Sequence, residues 1–304
     1  MKIVISGATG FLGRPLAATL ALDGHTVVAL SRGGSAAPPG TERLVPWKPD
    51  GTAGAWAAEL DGAGAVINLA GESIAGGRWT AARKRRILDS RLQATRSLVE
   101  AIGRARTPPA VLLSGSAVGY YGPLQDQVAT EDTPAGSDFL AKVCVAWEEE
   151  ASRAQSSRTR VVFVRTGLVL ERDGGALPQM LPPFRFGVGG PVGSGRQYWP
   201  WIHRQDWIDL VRFALSTPAI AGPLNATAPA PVRNADFARA LGRAMHRPAF
   251  MPAPGFALKL LLGEMAEGLL LSGQRAVPAK AQRHGYTFAY PDLDNALAVL
   301  FSRS

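Results

Sequence analysis

Cysteine is almost missing: Cys144 is the only one among 304 residues. A single thiol excludes a disulfide framework within the chain and any metal site built from clustered cysteines. The four histidines, His25, His203, His246 and His284, are too scattered for a helical zinc motif, so no metal is expected. Lysine is scarce as well: of 33 basic side chains six are lysine, which leaves 27 arginines. Arginine, alanine, glycine and proline are enriched together, as coding bias would produce. The formal net charge of +9 therefore does not by itself indicate a nucleic-acid binder.

Long apolar runs are missing too. The most hydrophobic stretch, 256–271, is interrupted by Lys259, Glu264 and Glu267, so no membrane span is expected. The opening run 2–6 reaches Gly7 too soon to serve as a signal-peptide core. The expectation is a soluble, cytoplasmic protein. With 46% hydrophobic residues, the chain can bury a sizeable core and is not disordered.

What is present alternates. Short apolar runs at 3–5, 26–30, 65–69, 111–113 and 161–164 read as buried strands. Between them, 11–22, 80–104 and 138–153 carry apolar residues at helical spacing. Strand–helix alternation predicts an α/β fold, a Rossmann-like doubly wound parallel sheet with a smaller C-terminal lobe. The stretch 171–206 is rich in glycine, proline and aromatics and reads as a long loop region. A helix at 206–216, a strand at 223–227 and helices at 234–245 and in the tail follow. The expected division is a nucleotide-binding body at 1–170, with 200–230 returning to it, and a substrate lobe from 171–199 and 231–304.

The segment Gly7-Ala-Thr-Gly10-Phe-Leu-Gly13 follows the first strand and opens a helix. Glycines there permit a tight turn and close backbone approach to a pyrophosphate, with the helix N-terminus supplying N–H donors. Gly7, Thr9, Gly10, Phe11, Leu12 and Gly13 are thus the expected pyrophosphate-binding residues. The second strand ends in Ser31-Arg32, with no carboxylate before Glu42. A guanidinium suits a ribose 2′-phosphate, whereas NAD usually meets an acidic residue at this point. NADP(H) is accordingly expected over NAD(H); the other reading of Arg32 is a solvated loop arginine.

With these motifs the chain resembles the short-chain dehydrogenase/reductase superfamily, in its extended and atypical branches. The resemblance is carried by SGATGFLG at 6–13, NLAG at 68–71, LSGSAVGYYG at 113–122, RTGLV at 165–169 and WIHRQD at 201–206. NLAGESIAGGRW at 68–79, MLPPFRFGVGGPVGSGRQYWPWIH at 180–203 and GQRAVP at 273–278 are similar to the group labelled epimerase family, or nucleoside-diphosphate-sugar-epimerase-like. That group carries a C-terminal segment of unknown function, and the likeness spans nearly the whole chain. It implies a dinucleotide cofactor and a catalytic Asn, Ser, Tyr and Lys. Ser116 matches the serine and Lys142 the lysine. Asp138 stands where the tyrosine belongs, and Arg91 where the asparagine belongs.

Ligands of open α/β sheets bind beyond the carboxyl ends of the strands. Leu69, Ala70, Gly71 and Glu72 follow the fourth strand and are expected along the cofactor's path, with Ser114 and Arg165 completing that set. Glu72 reads equally well as an ion-paired or capping carboxylate. Lys142 is expected on the nicotinamide ribose, and Ser116 on a substrate carbonyl or hydroxyl. Tyr120 and Tyr121 are the nearest phenols to replace the missing acid, or else packing residues. Asp138 reads foremost as a helix N-cap. Arg91, Arg196, Tyr198 and His203 are the candidate substrate residues, suited to a planar or anionic metabolite. The basic run 83–86 reads as a solvated helix face.

These features predict an NADP-binding oxidoreductase or epimerase-like enzyme acting on a small polar molecule, with neither nucleic acid nor membrane as partner. The alternative is a non-catalytic NADPH sensor, suggested by the missing tyrosine; a basic nucleic-acid-associated protein is a third.

Overall fold

In the computed structural model, which describes residues 1–34 and 36–302, the chain begins with β1 (Lys2–Ser6), α1 (Gly13–Leu22), β2 (Thr26–Ser31) and β3 (Arg43–Pro46). Then come β4 (Ala65–Asn68), α2 (Ala81–Arg104), β5 (Val111–Ala117), α3 (Phe139–Ser152) and β6 (Arg160–Thr166). Later elements are α4 (Leu177–Arg185), α5 (Arg204–Ser216), β7 (Gly222–Ala226), α6 (Asn234–Met245) and α7 (Gly255–Leu262). A helix at Leu293–Ser302 ends the described chain.

The seven strands form one sheet in the order β7-β6-β5-β4-β1-β2-β3, with every pair parallel. This is a Rossmann-like doubly wound sheet extended by one strand. Residues alternate between its faces, as the pleat requires. Ile3, Ile5, Val27 and Ile67 pack on one side with Leu16 and Leu20 of α1 and Trp207 and Leu210 of α5. Val4, Val28, Val66 and Leu112 face the other side, against Ala94 and Leu98 of α2 and Ala151 of α3. Both faces are covered, which is why the strands read as unbroken apolar runs.

A second core gathers Leu177, Leu181 and Phe184 of α4, Trp199 and Trp201 from the extended segment before α5, Phe237 and Leu241 of α6, and Leu293 and Leu297 of the last helix. Here the expectation of a continuous loop over 171–206 is corrected. Pro182 and Pro183 lie inside α4, and prolines ordinarily break a helix interior. Leu177, Leu181 and Phe184, at steps of four and three, are all buried, and this burial overrides the local signal. Strand β3 was not among the predicted runs: it is four residues long, at the sheet edge, with no fully buried residue.

Candidate functional site

The tight turn after β1 is shaped by sterics that only glycine satisfies. Gly7 has φ +74°, and a Cβ there would lie 2.7 Å from the Leu69 carbonyl group. A Cβ on Gly13 would lie 2.2 Å from the Gly7 carbonyl oxygen. These two glycines let the turn close against the loop after β4. Gly10 differs: it is exposed, and its Cβ would meet only the Gly7 oxygen, at 3.3 Å. Helix α1 starts without a side-chain cap and without an acidic residue in its first turn, so its N-terminus is open to an anion. Thr9 and Leu12 are half-buried in the turn. The Phe11 ring packs under Gly174 and Gly175 and faces the Arg204 guanidinium at 5.4 Å.

Polar side chains end the α2/α3 face of the sheet at its carboxyl edge. Cα register places Ser6 beside Asn68 and Asn68 beside Ser114. The Ser6 hydroxyl donates to Asn68 Oδ1 at 2.7 Å, and Asn68 Nδ2 donates to Thr95 Oγ1 at 2.9 Å. Trp147 Nε1 donates to the same threonine at 2.9 Å. This buried bridge ties β1, β4, α2 and α3 together directly beneath Leu69 and Ala70. Ser114 is buried, its hydroxyl turned towards the Gly115 carbonyl at 3.4 Å.

One step further along, Ser116, Arg165 and Asn225 occupy neighbouring positions on β5, β6 and β7. They belong to a second buried network. Ser116 Oγ donates to Glu148 Oε1 at 2.6 Å, and Arg165 grips the same carboxylate through Nε and Nη2, both at 2.8 Å. Arg165 Nη1 donates to Tyr121 Oη at 3.0 Å, and Tyr121 donates to Asn225 Oδ1 at 2.7 Å. Burial opposes the Arg165 charge, but Glu148 outweighs it and the guanidinium is held above its ordinary value. Burial pushes Tyr121 up to about 12. Its phenol is fully engaged and hidden. Tyr120, by contrast, is half-buried with its ring 3.4 Å from the Arg165 guanidinium, and its hydroxyl has no partner among the described residues.

Asp138 caps α3, Oδ1 accepting from Ala141 N at 2.8 Å; the capping reading holds. Lys142, one turn on, is exposed and its ammonium has no partner among the described residues. Arg32 is likewise exposed without a partner among them. Glu72 ion-pairs with Arg83 at 2.5 Å and Arg86 at 3.4 Å. Arg91 packs against Gly71 and the Trp147 ring, donating to the Glu72 and Ile87 carbonyls. Burial pulls its guanidinium below the ordinary value.

The glycine turn, 69–72 and Ser116 thus meet at the carboxyl edge of adjacent strands. Other candidates lie elsewhere. His203 is buried, accepts from Gln205 N to cap α5, and stacks on Tyr290 at 4.0 Å. Arg196 is exposed, and the Tyr198 ring is approached by the guanidinium groups of Arg233 and Arg275, at 5.0 and 5.4 Å. Glu148 was missed at the sequence level. Its signal was present: Ala141, Cys144, Glu148 and Ala151 fall on one buried stripe of α3, an unusual place for an unpaired carboxylate.

The chain matches the NAD dependent epimerase/dehydratase family over residues 3–225 and a domain of unknown function, DUF1731, over 253–300. It belongs to the NAD dependent epimerase/dehydratase family. Among individual relatives, it is 40% identical over 307 residues to the chloroplastic epimerase family protein SDR39U1 homolog of Arabidopsis thaliana, covering 99% of this chain and 86% of that one. The crystal structure of human epimerase family protein SDR39U1 (isoform 2) with NADPH superposes with TM-score 0.91 at 36% identity, covering all of both chains. A nucleoside-diphosphate sugar epimerase from Corynebacterium glutamicum gives TM-score 0.79 at 33% identity, over 99% of this chain and 58% of that one.

Proposed function

We propose that the protein is an NADP(H)-dependent oxidoreductase or epimerase-like enzyme acting on a small polar substrate. The observation that carries this reading is the glycine turn. Gly7 and Gly13 close it against Leu69, while Gly10 and the uncapped α1 N-terminus remain open for a pyrophosphate. The human relative crystallised with NADPH supports the same cofactor here. The exposed Arg32 guanidinium, without a partner among the described residues, supports NADP(H) over NAD(H) by offering a charge-assisted contact to the 2′-phosphate.

The cofactor would supply or accept a hydride; the chain's own residues do the rest. Lys142 offers its ammonium to the nicotinamide ribose. Ser116 gives its proton to Glu148, so as arranged its oxygen accepts, orienting a substrate hydroxyl. Tyr120 is the phenol available for proton transfer, because Tyr121 is held by Arg165 and Asn225. Arg196, Tyr198 and its flanking guanidiniums suit a planar or anionic substrate. Nucleic acid is disfavoured: in the basic run 83–86, Arg83 and Arg86 bind Glu72, and Lys84 binds Glu264. The single buried thiol, Cys144, suits a reducing compartment such as the cytoplasm.

A non-catalytic NADPH sensor is the second reading, favoured by Asp138 capping α3 where the superfamily places its tyrosine. The two separate in one assay: NADPH oxidation at 340 nm across a panel of carbonyl compounds and nucleotide sugars. Substrate-dependent oxidation that is lost in Tyr120→Phe supports the enzyme. Tight NADPH binding without oxidation by any member supports the sensor.

A further inference from the structure

Helix α7 is almost entirely apolar, GFALKLLL, yet none of its residues is buried. Phe256, Leu260 and Leu261 on it, with Phe186, Phe250 and Met251 nearby, are exposed over 46% to 82% of their surface. The segments carrying them adjoin. Met251 N donates to the Gly189 carbonyl at 3.1 Å, and Ala253 N donates to the Pro191 carbonyl at 2.8 Å. A Cβ on Gly255 would lie 3.7 Å from the Gly193 Cα. An apolar surface of this kind, on a chain with two cores already filled, marks a contact site.

Charge identifies what it contacts. No Asp or Glu occurs from 174 to 205, nor from 237 to 263, and these are the two stretches that form the face. Arg185 and Arg247 flank the exposed phenylalanines, are themselves exposed, and have no ion-pair partner among the described residues. Lys259 pairs with Glu267, at 2.6 Å. A second copy docking face to face would set these unpaired cations against themselves. An anionic surface that also accepts aromatic and aliphatic side chains meets both requirements. Among the described residues no helix is long and apolar enough to cross a membrane, so the contact is peripheral.

We propose that this face docks the protein on an anionic lipid bilayer, with Phe186, Phe250, Phe256 and Leu260 entering the headgroup boundary and Arg185 and Arg247 meeting lipid phosphates. A peripheral contact of this kind would run against the expectation of no membrane partner, which rests on the lack of a spanning stretch.

The test is co-flotation of the full chain with phosphatidylglycerol/phosphatidylcholine vesicles and with pure phosphatidylcholine vesicles, at low and high salt. Binding is expected to the anionic vesicles only and to weaken with salt. Phe250→Ser/Phe256→Ser/Leu260→Ser should weaken it by about tenfold or more through lost apolar burial. Arg185→Gln/Arg247→Gln should weaken it by about tenfold while leaving the apolar contact intact. These side chains are exposed, so both variants should melt as wild type does. No flotation of wild type overturns the proposal. A dimer in analytical ultracentrifugation that the serine variant abolishes, without vesicle binding, overturns it in favour of a second copy. Equal binding to both vesicle types overturns the role of the two arginines.

Discussion

Replacing Gly10 by alanine should weaken cofactor binding by about 10- to 100-fold in a protein that still folds, whereas Gly7→Ala should damage the fold itself. At Gly7 the added Cβ meets Leu69 main chain at 2.7 Å and must adopt φ +74°. The left-handed backbone costs about 1 kcal/mol or more, and the clash with main chain adds about 1–3 kcal/mol. At Gly10 the only contact is 3.3 Å from the Gly7 oxygen, so the fold should lose about 1 kcal/mol or less. The same methyl group would hold a pyrophosphate off the N–H groups of the turn. Losing one or two charge-assisted bonds corresponds to about 10- to 100-fold in affinity. Thermal melts with and without NADPH separate the effects. A ligand at about 100 times its Kd stabilises wild type by about 2.7 kcal/mol, and Gly10→Ala at the same concentration should gain only about 0.4–1.4 kcal/mol. If Gly10→Ala were stabilised by NADPH as strongly as wild type, the turn would not be the pyrophosphate site.

Glu148→Gln leaves the buried Arg165 guanidinium without its counter-charge, which should cost about 3–5 kcal/mol; Asp138→Ala, which removes a cap, should cost about 1 kcal/mol. Urea unfolding of the two variants checks that ranking, and equal losses would contradict the network described above. Alkaline pH should destabilise the fold. Burial pushes Cys144 from 9.0 up to about 12 and Tyr121 from 10.0 up to about 12. Between those limits the unfolded chain releases protons that the folded chain retains. Stability therefore falls as pH rises from 9 towards 12, by about 1.4 kcal/mol per pH unit for each fully separated group. In Cys144→Ala the fall should start nearer pH 10 in melts across that range; an unchanged onset would refute the thiol's part in it.

The parts of the fold carried by local pattern were legible. Helix α6 coincides with the periodic segment 234–245, and the glycine turn follows β1 as its spacing required. Asp138 was readable as a cap because it directly precedes the helical run. The misreadings share one cause, since each depended on tertiary burial. Prolines 182 and 183 look like breakers until Leu181 and Phe184 are packed against α6. At the site, Ser116 was legible as a position, while its partner was not. Glu148 lies in a run of three glutamates that resembles a solvated surface, and only the register of β5 against β6 brings Arg165 beside Ser116. Likewise Tyr120 and Tyr121 are indistinguishable in sequence; Asn225, 104 residues from Tyr121, makes them different.

The central claim, a cofactor site that selects NADP(H) through Arg32, is tested most directly by calorimetric titration of NADPH and NADH into wild type and Arg32→Glu. Wild type should prefer NADPH by about tenfold or more, the worth of a charge-assisted contact, and the variant should lose or reverse that preference. An unchanged ratio of the two affinities would contradict the assignment.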